Sequence, residues 1–158
     1  MATFDLAIPI VLRREGGYCW VEGDPGGETN FGISKRSYPN VDIKGLTAAG
    51  AGSIYFNDWW NRYNYSAILP QAVANKIFDM AVNLGASRAH KMVQQVLQLD
   101  QDGIIGPATL HELNTQSSLK IIVSLQDTQA AYYRDLVTAD PTKQKFLSGW
   151  LNRAYDRC

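Results

Sequence analysis

The stretch TFDLAIPIVLRREGGYCWVEGDPGGETNFGIS, residues 3–34, changes character at one point. Up to Glu15 it reads as a helix. Thr3 is a capping residue, and Phe4, Ala7, Ile8, Val11 and Leu12 recur at the spacing of one helical face. Pro9 falls inside this segment and predicts a kink. Gly16-Gly17 ends the helix. From Tyr18 to Ser34, glycine, proline, aspartate and asparagine dominate, with Asp24-Pro25-Gly26-Gly27 as turn chemistry, so a short hairpin or ordered loop is expected.

The remainder of the chain supplies further helices. Thr47 can cap one running through Ile54, Tyr55, Trp59 and Trp60, and Pro70 can open another through Val73, Ile77, Met80, Ala81 and Leu84 that stops at Gly85. Ser87 precedes Met92, Val93, Val96 and Leu97, and Pro107 opens a short helix with Leu110 and Leu113. Ser118 and Asp140-Pro141 start the last two. The fold expected is mainly α: six or seven helices and one small irregular or β-hairpin lobe.

Composition narrows the function classes. A chain of 158 residues can bury a core without disulfides or metals, and 15 basic against 15 acidic residues leave no basic face for nucleic acid. Met1 to Val11 lacks the basic start of a secretory signal, and no apolar run is long enough to span a membrane. The expectation is a monomer made in the cytoplasm that something else carries outward. Cys19 and Cys158 read as free thiols. His90 and His111 are the two histidines, and His111-Glu112 is not followed by the second histidine of a zinc motif, so no metal is expected. Asp100-Gln101-Asp102-Gly103 opens like a calcium loop but lacks the later ligands and reads as a turn between helices. No phosphate-binding loop or dinucleotide fingerprint occurs, and no cofactor is expected.

Glu15 is placed where a carboxylate is unusual. The negative end of the helix dipole and the apolar helix face both disfavour its ionised form, which is the condition a general acid for glycoside cleavage requires. Taken alone, the residue reads rather as a solvated glutamate paired with Arg13 or Arg14. Asp24 follows nine residues later and Thr29 five after that, bracketing the glycine-rich lobe. Asp24 is open to two readings, a second catalytic group or a turn starter. Asp79 and Asn83 share a helix face, either lining a sugar cleft or forming a buried hydrogen-bonded pair. Trp59, Trp60, Tyr63 and Tyr65 suit sugar stacking or a core, and Tyr18 is the aromatic placed nearest a substrate.

The spacing of Glu15, Asp24 and Thr29 resembles that of phage-type lysozymes, with the gap from Asp24 to Thr29 one residue shorter. A broader resemblance is to glycoside hydrolase family 108, muramidases that include phage endolysins and secretion activator proteins. It rests on Leu12-Arg13-Arg14-Glu15-Gly16-Gly17-Tyr18, on Asp24 through Ser34, and on Phe78-Asp79-Met80-Ala81-Val82-Asn83-Leu84-Gly85. Pro9 and Cys19 are departures. The segment Asp102 to Leu110 is similar to a predicted peptidoglycan-binding domain.

The resemblance implies a single lysozyme-like domain over residues 1–158, with a catalytic portion at 1–85 and a peptidoglycan-binding-like portion at 86–158. It implies hydrolysis of the β-1,4 bond between N-acetylmuramic acid and N-acetylglucosamine, for phage lysis or wall remodelling during secretion. Release to the periplasm or cell wall would depend on a holin or a secretion route. In that reading Glu15 is the catalytic acid, Asp24 and Thr29 assist it, and Tyr18, Asp79 and Asn83 contact the polymer. The rival is a non-catalytic peptidoglycan-binding accessory protein, which could dispense with all three catalytic candidates.

Overall fold

The computed structural model describes residues 1–20 and 27–156. Among these, seven α-helices enclose one small hairpin: α1 (Phe4–Glu15), β1 (Thr29–Asn30), β2 (Ile33–Ser34), α2 (Ala48–Tyr55), α3 (Gln71–Leu84), α4 (Ala86–Val96), α5 (Pro107–Thr115), α6 (Ser118–Ala139) and α7 (Gln144–Tyr155).

The centre is α3, whose residues Val73 to Ala81 are all buried, as expected of a helix surrounded by others. It packs against α1, α4 and α6, and α7 lies along α6. One hydrophobic cluster runs from Ala2 to Leu125, through Val11, Ile33, Tyr55, Ile77 and Leu113. A smaller one joins α6 and α7 through Ala130, Tyr133 and Ala154, with Trp150 stacked on Tyr133. Where α3 carries polar groups in this interior, each has a partner. Asn75 accepts from Gln71, and the amino group of Lys76 donates to Gln129 Oε1 at 2.7 Å and to the carbonyl of Ala154 at 2.6 Å. That second bond puts a cation on the C-terminal end of α7, where the helix dipole favours one.

Several caps are where the sequence puts them. Thr47 Oγ1 accepts from the N–H of Gly50, Pro107 is the first residue of α5, and Asp140 caps the 3-10 turn Pro141–Lys143 that precedes α7. Others shift. Thr3 precedes α1 but its side chain makes no cap; its N–H donates instead to Gln71 Oε1 at 2.7 Å. Ser87 falls inside α4, because Gly85, at φ 85°, turns the chain straight from α3 into Ala86. Pro9 sits inside α1 at an exposed position, and Asp5, whose carbonyl it cannot bond, is an exposed residue too.

The hairpin occupies the polar lobe as expected. Thr29 pairs with Ser34 and Asn30 with Ile33, leaving Phe31 and Gly32 as a two-residue loop at φ 50° and 76°. Two positive φ values match the tight turn whose twist suits flanking strands. Asn30 is buried and donates to the carbonyls of Ile43 and Leu46, which ties the hairpin to the segment before α2. The 100–106 segment is a turn between helices: Asp102 accepts from Gln94 and from the N–H of Ile104, and these bonds hold its carboxyl below the usual range.

Candidate active site

α1 ends at Glu15 because Gly16 takes φ 72°, a conformation that L side chains rarely adopt. The carboxyl of Glu15 is thereby left at the edge of a cleft of about 430 Å³ between the hairpin and the helices. Oε1 accepts from Arg153 Nη2 at 2.7 Å. The opposite oxygen packs on Gly32, where a Cβ atom would lie 2.8 Å from Glu15 Oε2 and 2.5 Å from the hydroxyl of Tyr55. Tyr55 in turn donates to the carbonyl of Phe31 at 2.9 Å, bracing the hairpin loop from below. Burial and the neighbouring charge of Glu15 push the Tyr55 hydroxyl well above its ordinary range, so it stays a donor.

Behind Glu15 lies a network of buried charge. Asp79 is fully buried and accepts from Arg153 Nη2 at 2.9 Å, from Arg153 Nε at 3.4 Å and from Arg14 Nη1 at 2.5 Å. Arg14 also reaches Asp156 at 2.6 Å. A carboxylate removed from water is tolerable only with such partners. Burial works against the charge of Arg153, yet Asp79 and Glu15 outweigh it and raise its affinity for its proton. Residues from α1, α3 and α7 thus form one network around Asp79, and Arg153 carries it to one carboxyl oxygen of Glu15.

The other wall comes from α2 and its continuation. At Phe56 the helix widens into a π-helical turn, Phe56–Asn61, a distortion frequent at functional sites. Tyr55, Asp58, Trp59, Arg62 and Tyr63 all line the cleft. From the hairpin side Tyr38 donates to Asp58 Oδ2 at 3.0 Å, and burial together with that carboxylate pushes the Tyr38 hydroxyl up to about 12. Aromatic rings interleaved with hydroxyl, carboxylate and guanidinium groups can hold a sugar by its apolar faces and its polar rim at once.

Of the residues singled out in the sequence, Glu15 lies in the cleft. Thr29 is in β1, held by two 2.8 Å backbone bonds to Cys19, and does not line it. Tyr18 is exposed beside the hairpin and donates to Glu28. Asp24 lies outside the described residues. Asp79 sits beneath the cleft rather than on its surface. Asn83 is exposed and accepts from the hydroxyl of Tyr133, opening onto a separate hollow with Arg14, Trp150 and Asn152. The aromatic quartet divides: Trp60 and Tyr65 are core, while Trp59 and Tyr63 line the cleft. Sequence reading missed Arg153, Tyr38, Asp58 and Arg62. Asp58 and Arg62, four apart beside Trp59, carry a helical-face signal; Arg153, far along the chain, carries none.

A family model described as Glycosyl hydrolase 108 matches residues 8–85, and one described as Predicted Peptidoglycan domain matches residues 88–155. The solved structure of Brucella abortus SagA is 34% identical, with 96% of this chain and 88% of that chain covered and a TM-score of 0.78. The chain belongs to glycoside hydrolase family 108. No curated protein is matched. Membership makes the mainly α, lysozyme-like architecture and a peptidoglycan-related role plain findings. It also gives the cleft a chemical class, since family 108 is one of glycoside hydrolases. The two matched segments meet inside one site: Glu15 and Asp79 belong to the first, Arg153 to the second.

Proposed function

We propose that this family 108 protein is a muramidase that hydrolyses the β-1,4 bond between N-acetylmuramic acid and N-acetylglucosamine, with Glu15 as the general acid. The observation that carries this reading is the setting of Glu15: a carboxyl at the cleft edge, one oxygen held by Arg153 and the other against the space that Gly32 leaves open. A protonated carboxyl in that position accepts from Arg153 through its carbonyl oxygen and has its O–H free for the leaving-group oxygen. As the glycosidic bond breaks, the proton moves to that oxygen and Glu15 becomes a carboxylate. Arg153 therefore interacts more strongly with the transition state than with the ground state, which is the requirement for accelerating the step. Asp79 takes up part of the Arg153 charge, so the guanidinium orients Glu15 without being devoted to it.

Trp59 and Tyr63 stack on sugar faces in this reading, and Asp58 and Arg62 bind their polar edges. Asp24 steadies the oxocarbenium-like centre or activates water. Tyr18 contacts the polymer outside the cleft. The enzyme works as a monomer without cofactor, is made in the cytoplasm and reaches the wall through a holin or a secretion route, for phage lysis or wall remodelling during secretion. The test is chemical: digest purified peptidoglycan, reduce the new ends with borohydride and identify the sugar alcohol. Muramitol supports the reading. Glucosaminitol would transfer the cut to the other glycosidic bond, and new amino or carboxyl termini would remove the glycosidase altogether.

A further inference from the structure

Tyr63 lines two hollows, the cleft of Glu15 and a groove of about 610 Å³ that begins at the α3–α4 junction. The groove carries Arg88, Lys91 and Gln95 from α4, with Tyr132 of α6 on its other side. Arg88 is held in place: its Cζ lies 4.9 Å from the centre of the Tyr132 ring, and Nη1 donates to the Tyr132 hydroxyl at 2.6 Å. A guanidinium fixed by one donor keeps the others for a second ligand. Neither Arg88 nor Lys91 pairs with a carboxylate among the described residues. On the far side of Tyr132 the next hollow is lined by Asp127 and Asp135, so the positive charge is confined to the groove that adjoins the cleft.

We propose that this groove is the subsite for the peptide stem of the polymer, with Arg88 and Lys91 receiving its carboxylates. The inference rests on the muramidase reading, since it takes the muramic acid in the cleft as the stem's point of attachment. The two hollows adjoin at Tyr63, which lines both, and an extended peptide of four or five residues spans up to about 14–18 Å. Charge and geometry agree, because a planar guanidinium matches a carboxylate in two parallel hydrogen bonds. Arg88, Lys91 and Gln95 all belong to the segment matched as a peptidoglycan domain, which gives that segment a stated contact with the polymer.

The test compares the full chain with the double variant Arg88→Gln/Lys91→Gln, both side chains being exposed and outside the catalytic cleft. On intact peptidoglycan the variant is expected to lose about tenfold in kcat/KM, the scale of one charge-assisted contact. On the same glycan stripped of its stems by an amidase it should stay within about twofold of wild type. Equal losses on both substrates, or no loss on either, would overturn the proposal. A second arm needs no cleavage: Glu15→Gln protein is titrated with a synthetic stem tetrapeptide and with its carboxyl-amidated form. Amide shifts on α4 that vanish on amidation and in the Arg88/Lys91 variant support the site; absent shifts, or shifts indifferent to amidation, exclude it. If wild type cuts no glycan, the muramidase reading fails while the titration still decides the stem site.

Discussion

Replacing Gly32 by alanine probes the geometry of Glu15 without touching a charged group. The added Cβ would lie 2.5 Å from the Tyr55 hydroxyl, 2.8 Å from Glu15 Oε2 and 3.0 Å from Glu15 Cγ, where ordinary contact needs 3.4–4 Å. Tyr55 is buried and hydrogen-bonded to Phe31, so it yields little; the partly exposed end of Glu15 yields more. Glu15 is therefore displaced by about 1 Å, a shift that can cost about 100-fold in rate when it moves a catalytic group. Stability falls too. Placing a side chain at φ 76° costs about 1–2 kcal/mol and overpacking about 1–3 kcal/mol, together about 2–5 kcal/mol. At this chain length that lowers Tm by about 5–15 °C. Unfolding by heat and reducing-end release at a temperature where the variant is still folded would separate the two effects. Gly32→Ala with wild-type activity and an unchanged Tm would refute the placement of Glu15 against the hairpin loop.

Other consequences are more local. Asp79→Ala leaves two guanidinium groups without their buried partner and should cost about 3–5 kcal/mol in urea unfolding, with a loss of activity as Arg153 is released. Asn30→Ala removes the donor to the Leu46 carbonyl and one of the two donors to the Ile43 carbonyl, and should cost about 1–3 kcal/mol by the same measurement, the scale of one unsatisfied buried group. His90 contributes a pH dependence. Its Nδ1 faces the carbonyl of Gly103 and so carries the proton, leaving Nε2 to accept from the Tyr65 hydroxyl. Burial, partly opposed by the Gly103 bond, lowers its affinity for a second proton. Below about pH 6.5 the unfolded chain then takes up a proton that the folded one refuses. Stability should fall from pH 7.5 to 5.5, and that dependence should flatten in His90→Gln; an equal slope in both proteins would assign it elsewhere.

The helices were legible because their boundaries depend on neighbours in sequence. Thr47, Pro107 and Asp140 act where they stand, and Val73, Ile77, Met80 and Ala81 mark α3 as a core helix. The hairpin was legible as a region but not in its turn: the turn chemistry was read at Asp24-Pro25-Gly26-Gly27, of which residues 24–26 lie outside the described residues, and the tight turn described is Phe31-Gly32. Glu15 could be read from its position between an apolar helix and Gly16-Gly17. What organises its carboxyl could not, because Arg153 reaches it only after α7 docks through Lys76 and the Tyr133–Trp150 stack. The widened turn at Phe56–Asn61 was equally hidden. A regular helix and a π turn share the same residues, and their choice rests on packing around Trp60 and Tyr55. Asp79 and Asn83 show how far periodicity goes: same face, four apart, yet one is buried under Glu15 and the other opens to a different hollow.

The most direct test of Glu15 as the acid is Glu15→Gln, which keeps the shape and an acceptor for Arg153 but removes the transferable proton. Its circular dichroism spectrum should match wild type, with Tm within a few degrees, while muramic acid ends released from purified peptidoglycan fall by at least about 100-fold, the scale of general acid catalysis. A folded Glu15→Gln protein that releases those ends at the wild-type rate would contradict the account at its centre.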